Sequence, residues 1–308
     1  MTEPRVPPLA GSGGLRRVAH RRTDAGWLEE AWKRARLLAV DAGEGTARQS
    51  VHALLRDDHL LLLDPAEAPE GERLFLGEDV DGTPYFAVMG ALPELPGTRP
   101  VTIRDIGHLL TDLEGALLTT AIALANWHVR HRYSPVDGQP TTVTEAGWSR
   151  TGGDGFITWP RTDPAVIVLV HDGVPGDEGR CLLGHNAAWT RPGWTVRYSC
   201  LAGFVEAGES AEAAAIREVA EEVGVPVSRL HYLGSQAWPY PGSLMLGFTA
   251  LADPDQPVRV DETEISSARW FTRTDIRAVI AGERDDFGLP MATSIAFFLV
   301  TEWLSGRP

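Results

Sequence analysis

The sequence predicts an α+β protein of two domains, a β-rich first one and a second built as an α/β/α sandwich around a mixed sheet. Three observations lead there. Before residue 104 the apolar residues come in short runs broken by Asp, Gly, Pro and Glu clusters, the pattern of strands and turns. Residues 134–160 are rich in Gly, Pro, Thr and Ser and read as a linker or small irregular subdomain. Beyond them a continuous apolar run, residues 165–170 (AVIVLV), is followed by an acidic helix and further strands, so sparse helices surround one sheet.

In chain order, residues 1–14 lack an apolar h-region and read as a loose leader rather than a signal peptide. Residues 27–36 (WLEEAWKRAR) suit a short amphipathic helix. Strands follow at 37–40, 51–55, 60–63, 74–76 and 85–89, forming a scaffold or dimerisation surface with no sign of chemistry. From 104 to 131 the pattern becomes helical, with Ile106, Leu109, Leu110, Leu113, Leu117, Ile122 and Leu124 supplying core. After strand 165–170, strands are expected from 180, over 243–250 and over 268–271, and helices over 274–281 and 292–304.

At 308 residues the chain can bury two cores. Its net charge of −14 argues against nonspecific nucleic-acid binding, though a local basic pocket or a metal-bridged polyphosphate stays compatible with it. Cys181 and Cys200 are the only cysteines, so no disulfide framework is implied and a reducing cytoplasm is the simplest setting. The longest charge-free apolar stretch, residues 115–127, is too short to span a bilayer, so a soluble protein without a membrane partner is expected.

The chemistry concentrates in residues 203–225, GFVEAGESAEAAAIREVAEEVGV. Ser210 is a fitting N-cap and Gly224 a fitting C′ residue, with good helix formers between them. At about 100° per residue, Glu218, Glu221 and Glu222 share one arc of that helix, while Ala215, Ile216, Val219, Ala220 and Val223 are expected on a separate, buried one. Carboxylates three and four residues apart repel by a few tenths of a kcal/mol per pair. Hard divalent cations reverse that sign, because Mg²⁺ and Mn²⁺ prefer carboxylate oxygens. A solvated acidic face is the bland alternative. It leaves the Gly-rich loop and Arg217 beside Glu218 unexplained.

These residues match every fixed position of the Nudix box, and the chain resembles the Nudix hydrolases. Ten residues further on, Ser235 to Met245 (SQAWPYPGSLM) resembles the array that follows the box in NADH pyrophosphatases, which also act on NAD-capped RNA 5′ ends. By itself this loop offers two stiffening prolines, the flat faces of Trp238 and Tyr240, and the polar groups of Gln236 and Ser243. A Trp/Pro-rich core corner is the bland reading. The stretches 127–133 (WHVRHRY), 160–166 (PRTDPAV) and 264–271 (EISSARWF) resemble the same subgroup.

The resemblance implies an N-terminal Nudix-like domain over residues 1–125, a connector over 126–162 related to a zinc ribbon, and a Nudix hydrolase domain over 163–308. It implies a cytoplasmic homodimer that uses two or three Mg²⁺ or Mn²⁺ ions to split NADH or NAD into AMP and (reduced) nicotinamide mononucleotide, and to remove NAD caps from RNA. Glu218, Glu221, Glu222, Glu264 and the carbonyl of Ala202 match metal ligands, with Glu262 close enough to Glu264 to leave that register open. Arg217 and Glu209 match the pair that orients loop and helix. The base is left open between Glu222 and Glu264. Gln236, Ala237, Trp238, Pro239, Tyr240, Pro241, Gly242 and Ser243 match the substrate loop, with Phe204, Trp159, Glu145 and the backbone of Ala296 as further contacts.

Two departures stand out. The family's two Cys-x-x-Cys pairs are replaced by Ser134, Asp137, Thr151 and Asp154, so structural zinc is expected to be absent, with Gly/Pro turns and packing of Trp148, Phe156 and Trp159 in its place. Ala237 stands where the family has proline. A Nudix hydrolase of shifted specificity, for ADP-ribose or another nucleotide adduct, and a weak NAD-binding regulatory module are the alternatives. The intact Arg217, Glu218, Glu221 and Glu222 favour an enzyme.

Overall fold

The computed structural model of the chain describes residues 6–43, 50–189 and 195–306. The first five residues of the expected leader lie outside them. The described residues form two compact units: those of one fall within Leu9–Thr162 and Ala237–Ser243, those of the other within Met1–Pro8, Asp163–Gln236 and Leu244–Pro308.

The first unit contains α1 (Ala25–Trp32), β1 (Arg36–Asp41), β2 (His52–Arg56), β3 (His59–Leu60), β4 (Glu72–Glu78), β5 (Pro84–Met89), β6 (Arg99–Val101), α2 (Ile103–Ile106) and α3 (Asp112–Arg130). Its sheet runs β3-β2-β1-β5-β4, with β6 also on β2. The β1–β5 pair is parallel and the others are antiparallel, so the sheet is mixed. Strand alternation explains the layers: Leu38 and Val40 join a core with α3, while Leu37 and Ala39 join another with α1.

The single helix expected over 104–131 is two. Thr111 caps α3 in a capping box with Glu114, whose carboxylate accepts the Thr111 N–H at 2.9 Å. Leu109, expected in the core, lies between the helices and is exposed.

The connector holds a three-stranded antiparallel sheet, β7 (Thr142–Thr144), β8 (Ser149–Thr151) and β9 (Ile157–Thr158). Its four thiolate-position residues are hydrogen-bonded within the connector, three in turns and Thr151 across strands. Ser134 Oγ accepts from the Val136 N–H at 3.2 Å, Asp137 from Gln139 at 2.9 Å and Asp154 from Phe156 at 2.9 Å, while Thr151 Oγ1 pairs with Thr144 Oγ1 at 3.1 Å. Hydroxyl and carboxylate oxygens spent this way do not fit a structural zinc site, which takes Cys and His. Of the three aromatics expected to pack there, only Trp148 does, donating from Nε1 to the Phe75 carbonyl at 2.6 Å beneath the Arg22 guanidinium. Phe156 and Trp159 are 44% and 55% exposed, because the short β9 offers them no opposing layer.

The second unit contains β10 (Asp163–His171), β11 (Arg180–Asn186), β12 (Leu201–Phe204), α4 (Ala211–Val223), β13 (Ser228–Trp238), β14 (Ser243–Leu251), β15 (Ile265–Thr272), α5 (Arg273–Ile280) and α6 (Ile295–Leu304). The order is β13-β14-β10-β11-β15, with β12 antiparallel to β10. Along β10, Val166, Val168 and Val170 pack with α4, and Ile167 and Leu169 with α5 and α6. That two-sided burial is the α/β/α sandwich expected from the AVIVLV run. Cys181 and Cys200 fill the core on the α5/α6 side. β12 and β13 were not expected, since the first is short and Gly-bearing and the second, with His231 and Tyr232 exposed side by side, has no period-2 alternation. Among the described residues no helix is long and apolar enough to cross a membrane.

Candidate active site

Helix α4 begins where its sequence says it should: Ser210 Oγ accepts from the Ala213 N–H at 3.1 Å, and Gly224 ends it at φ 68°. Its faces differ from the expected division. Ala214, Ala215, Val219 and Val223 are buried, but Ile216 and Ala220 are exposed, and Glu218 and Glu222 take buried positions in their stead. The helix has rotated its acidic edge inward, toward β12.

Glycine at 203 is what lets it do so. A Cβ on Gly203 would lie 2.0 Å from the Glu218 carboxyl carbon, so any side chain there would displace that carboxylate. Glu222, 3% exposed, accepts the Ala202 N–H at 3.2 Å. Burial raises the Glu222 carboxyl to about 8, opposed by the Ala202 N–H and reinforced by the charges of Glu218 and Glu264. Burial likewise raises Glu218, against the pull of Arg217, with Glu221 and Glu264 adding to the rise. Glu264 is the downstream glutamate whose charge reaches both helix carboxylates. The turn carrying it is tied to the end of α4 by the Asp261 N–H donating to the Glu222 carbonyl at 3.0 Å.

Arg217 organises the outer side. Its Nε and Nη2 fork onto Glu209 at 2.9 and 2.8 Å, Nη1 reaches Glu218 and Glu221 at 2.8 Å each, and Nη2 also donates to the Phe204 carbonyl at 2.9 Å. That fork holds the Glu209 carboxyl at about 2, well below the usual range. Glu221 lies on the helix surface with its carboxylate on Arg217, while Glu218 and Glu222 point inward. The Phe204 ring is 57% exposed. Among the described residues no three His, Cys, Asp or Glu side chains form a ready-made metal cluster, and Arg217 is the cation these carboxylates meet.

Gln236, at the start of the loop, is bonded within its own unit. Its Nε2 donates to the carbonyls of Pro8 and of Thr293, the latter at 2.8 Å, and its Oε1 accepts the Ile295 N–H at 2.8 Å. Both amide hydrogens are engaged, and this side chain anchors the start of α6. It also holds the Pro8 carbonyl. Ala296 sits in the first turn of α6, between the capped N–H groups of Ile295 and Phe297.

Ala237–Ser243 belong to the other unit, with Glu145 and Trp159. Ala237 is the penultimate residue of β13, Pro239 and Ser243 are buried, and Pro241 and Gly242 complete the turn into β14. The Trp238 and Tyr240 rings meet edge to face at 5.6 Å. Glu145 stands in a short turn at φ 48°, its carbonyl accepting the Trp148 N–H at 3.1 Å. A polar contact that sequence reasoning missed holds this loop: Asn126 Nδ2 donates to the Pro239 carbonyl at 2.7 Å. The available signal was one amide inside the long apolar stretch of residues 115–127.

Residues 161–289 match the NUDIX domain family. The chain is 39% identical over 314 residues to the NAD-capped RNA hydrolase NudC of Mycobacterium tuberculosis, spanning 97% of this chain and 95% of that protein. It is 36% identical over 209 residues to the human NAD-capped RNA hydrolase NUDT12, spanning 65% of this chain and 44% of that protein. Among solved structures, a Nudix hydrolase from Nitrosomonas europaea aligns at 17% identity with a TM-score of 0.43, over 57% of this chain and 94% of that one.

Proposed function

This chain belongs to the Nudix family, in the group of the NAD-capped RNA hydrolases, and from that premise we propose that it hydrolyses the pyrophosphate of NADH and NAD and removes NAD caps from RNA 5′ ends. The products from NADH are AMP and reduced nicotinamide mononucleotide. The observation that carries the chemistry is the inward pair of Glu218 and Glu222, both buried, with Arg217 bonded to Glu218 at the edge.

Nudix hydrolases generally use divalent metal ions, and the donor set here suits them: hard carboxylate oxygens whose mutual repulsion an added cation relieves. We assign Glu218, Glu222, Glu264 and the Ala202 carbonyl, with Glu221 at the rim, as holders of two or three Mg²⁺ or Mn²⁺ ions. Ions held by these oxygens would supply polarisation of the phosphoryl oxygens and a lowered pKa for a bound water. The carboxylate of Glu222 or Glu264 takes the proton of the attacking water as its oxygen bonds to one phosphorus and the bridging P–O bond breaks. Arg217 and Glu209 hold the loop and helix in register. The exposed Phe204 ring and the faces of Trp238 and Tyr240 are the stacking surfaces we assign to the base rings, with Trp159, Glu145 and the Ala296 backbone as outlying contacts.

We further assign residues 163–308 as the hydrolase domain, 1–125 as its Nudix-like companion and 126–162 as a connector without zinc, in a cytoplasmic homodimer. The test is chromatography of NADH, NAD, ADP-ribose and NAD-capped RNA after incubation with Mg²⁺ or Mn²⁺. AMP and reduced nicotinamide mononucleotide from NADH are the expected products. Intact NADH beside cleaved ADP-ribose would overturn the substrate assignment.

A further inference from the structure

The loop Ala237–Ser243 is held from outside itself, within the unit that also contains α2 and α3. Asn126, buried on α3, gives its amide to the Pro239 carbonyl at 2.7 Å. The Arg104 guanidinium, at an exposed position of α2, lies 4.2 Å over the Tyr240 ring and 5.8 Å from the Trp238 ring. Tyr240 packs against the core formed by α3 and the first sheet. Its hydroxyl is buried and finds no hydrogen-bond partner among the described residues, so the ring is placed by these neighbours and by its backbone, not by its own polar end.

We propose that Asn126 is a positioning residue for the substrate loop, fixing the Pro239 peptide and thereby the ring planes of Trp238 and Tyr240 on either side of it, with Arg104 clamping those rings from the solvent side. This rests on the assignment of that loop to the dinucleotide. A buried amide in an otherwise apolar helix stretch is costly unless bonded, and the bond Asn126 makes is to the carbonyl of the one residue between the two aromatic residues.

The test compares wild type, Asn126→Asp and Arg104→Gln in steady-state hydrolysis of NADH with Mg²⁺, together with melting temperature. Asp keeps the shape of Asn and loses the donor, leaving the carbonyl facing an oxygen. The expected result is a KM for NADH raised about tenfold in Asn126→Asp and several-fold in Arg104→Gln, with kcat within about threefold of wild type. A KM unchanged within twofold in Asn126→Asp, or a fall in kcat at constant KM, overturns the proposal. Should Asn126→Asp not fold, Arg104→Gln decides on the same criterion, since its exposed site carries no core packing. Failure of the substrate assignment is seen separately, as wild type leaving NADH intact. The same KM comparison is then made on ADP-ribose, with the same result required.

Discussion

Arg150 Nη1 donates to Nδ1 of His128 at 3.1 Å, while Nε2 of the same ring lies 2.9 Å from the Gly147 carbonyl. An arginine can only donate, so Nδ1 must accept and the ring is neutral with its proton on Nε2. Arg150 also donates to Thr141 Oγ1 at 2.7 Å and to the Thr141 carbonyl at 2.8 Å, so one guanidinium ties α3, β8 and the segment leading into β7 together. This buried network is the cross-link of the connector.

The network predicts an acid-sensitive fold. Burial, with Arg150 and His131 adding to it against the Gly147 carbonyl, lowers His128 to about 4 from its ordinary 6.5. The unfolded chain then binds more protons between those values. The stabilisation is complete above about pH 6.5 and is lost as pH falls toward 4, amounting to on the order of 3 kcal/mol. His128→Gln, which can still donate and accept, should flatten the urea-denaturation midpoint between pH 6.5 and 4 relative to wild type. Parallel pH curves for the two proteins would refute the role.

Glu222→Gln should abolish turnover and leave the fold intact. Because its carboxyl is raised to about 8, the folded protein holds a proton that the unfolded chain releases near 4.5, so this group's contribution to stability falls as pH rises from about 4.5 through 8. Removing the charge should therefore raise the melting temperature in EDTA at pH 8 and remove the increase that Mg²⁺ gives wild type. Retention of more than about a tenth of the wild-type rate would contradict the assignment, since loss of a metal carboxylate should cost several kcal/mol.

Arg217→Lys keeps a positive charge but cannot fork onto Glu209 while reaching Glu218 and Glu221. The expected outcome is a kcat lowered at least about tenfold, equivalent to ~1.4 kcal/mol, with the melting temperature nearly unchanged. A kcat within twofold of wild type would mean that charge alone suffices.

The connector should fold without zinc. Elemental analysis is expected to find no stoichiometric zinc, and Asp154→Ala, which frees the Phe156 N–H, should destabilise the protein by about 0.5–1.5 kcal/mol in urea titration. One tightly bound zinc per chain would overturn this.

The local features follow from residue type and order. The strand of residues 165–170, the caps at Ser210 and Gly224, and the reaction class carried by Arg217 and its glutamates are set by residue type and spacing over a few turns, where propensity and periodicity act. Tertiary structure decided what depends on a neighbour remote in sequence. Helix periodicity placed Ile216 inside and Glu218 outside, and the reverse holds because the bare backbone at Gly203 lets β12 receive the carboxylates. The bonds of the Gln236 amide to Thr293 and Ile295, almost sixty residues on, are likewise made only by the folded chain. Asn126 and Pro239 stand 113 residues apart, and no local pattern encodes a hydrogen bond whose partner only the folded chain brings within 2.7 Å.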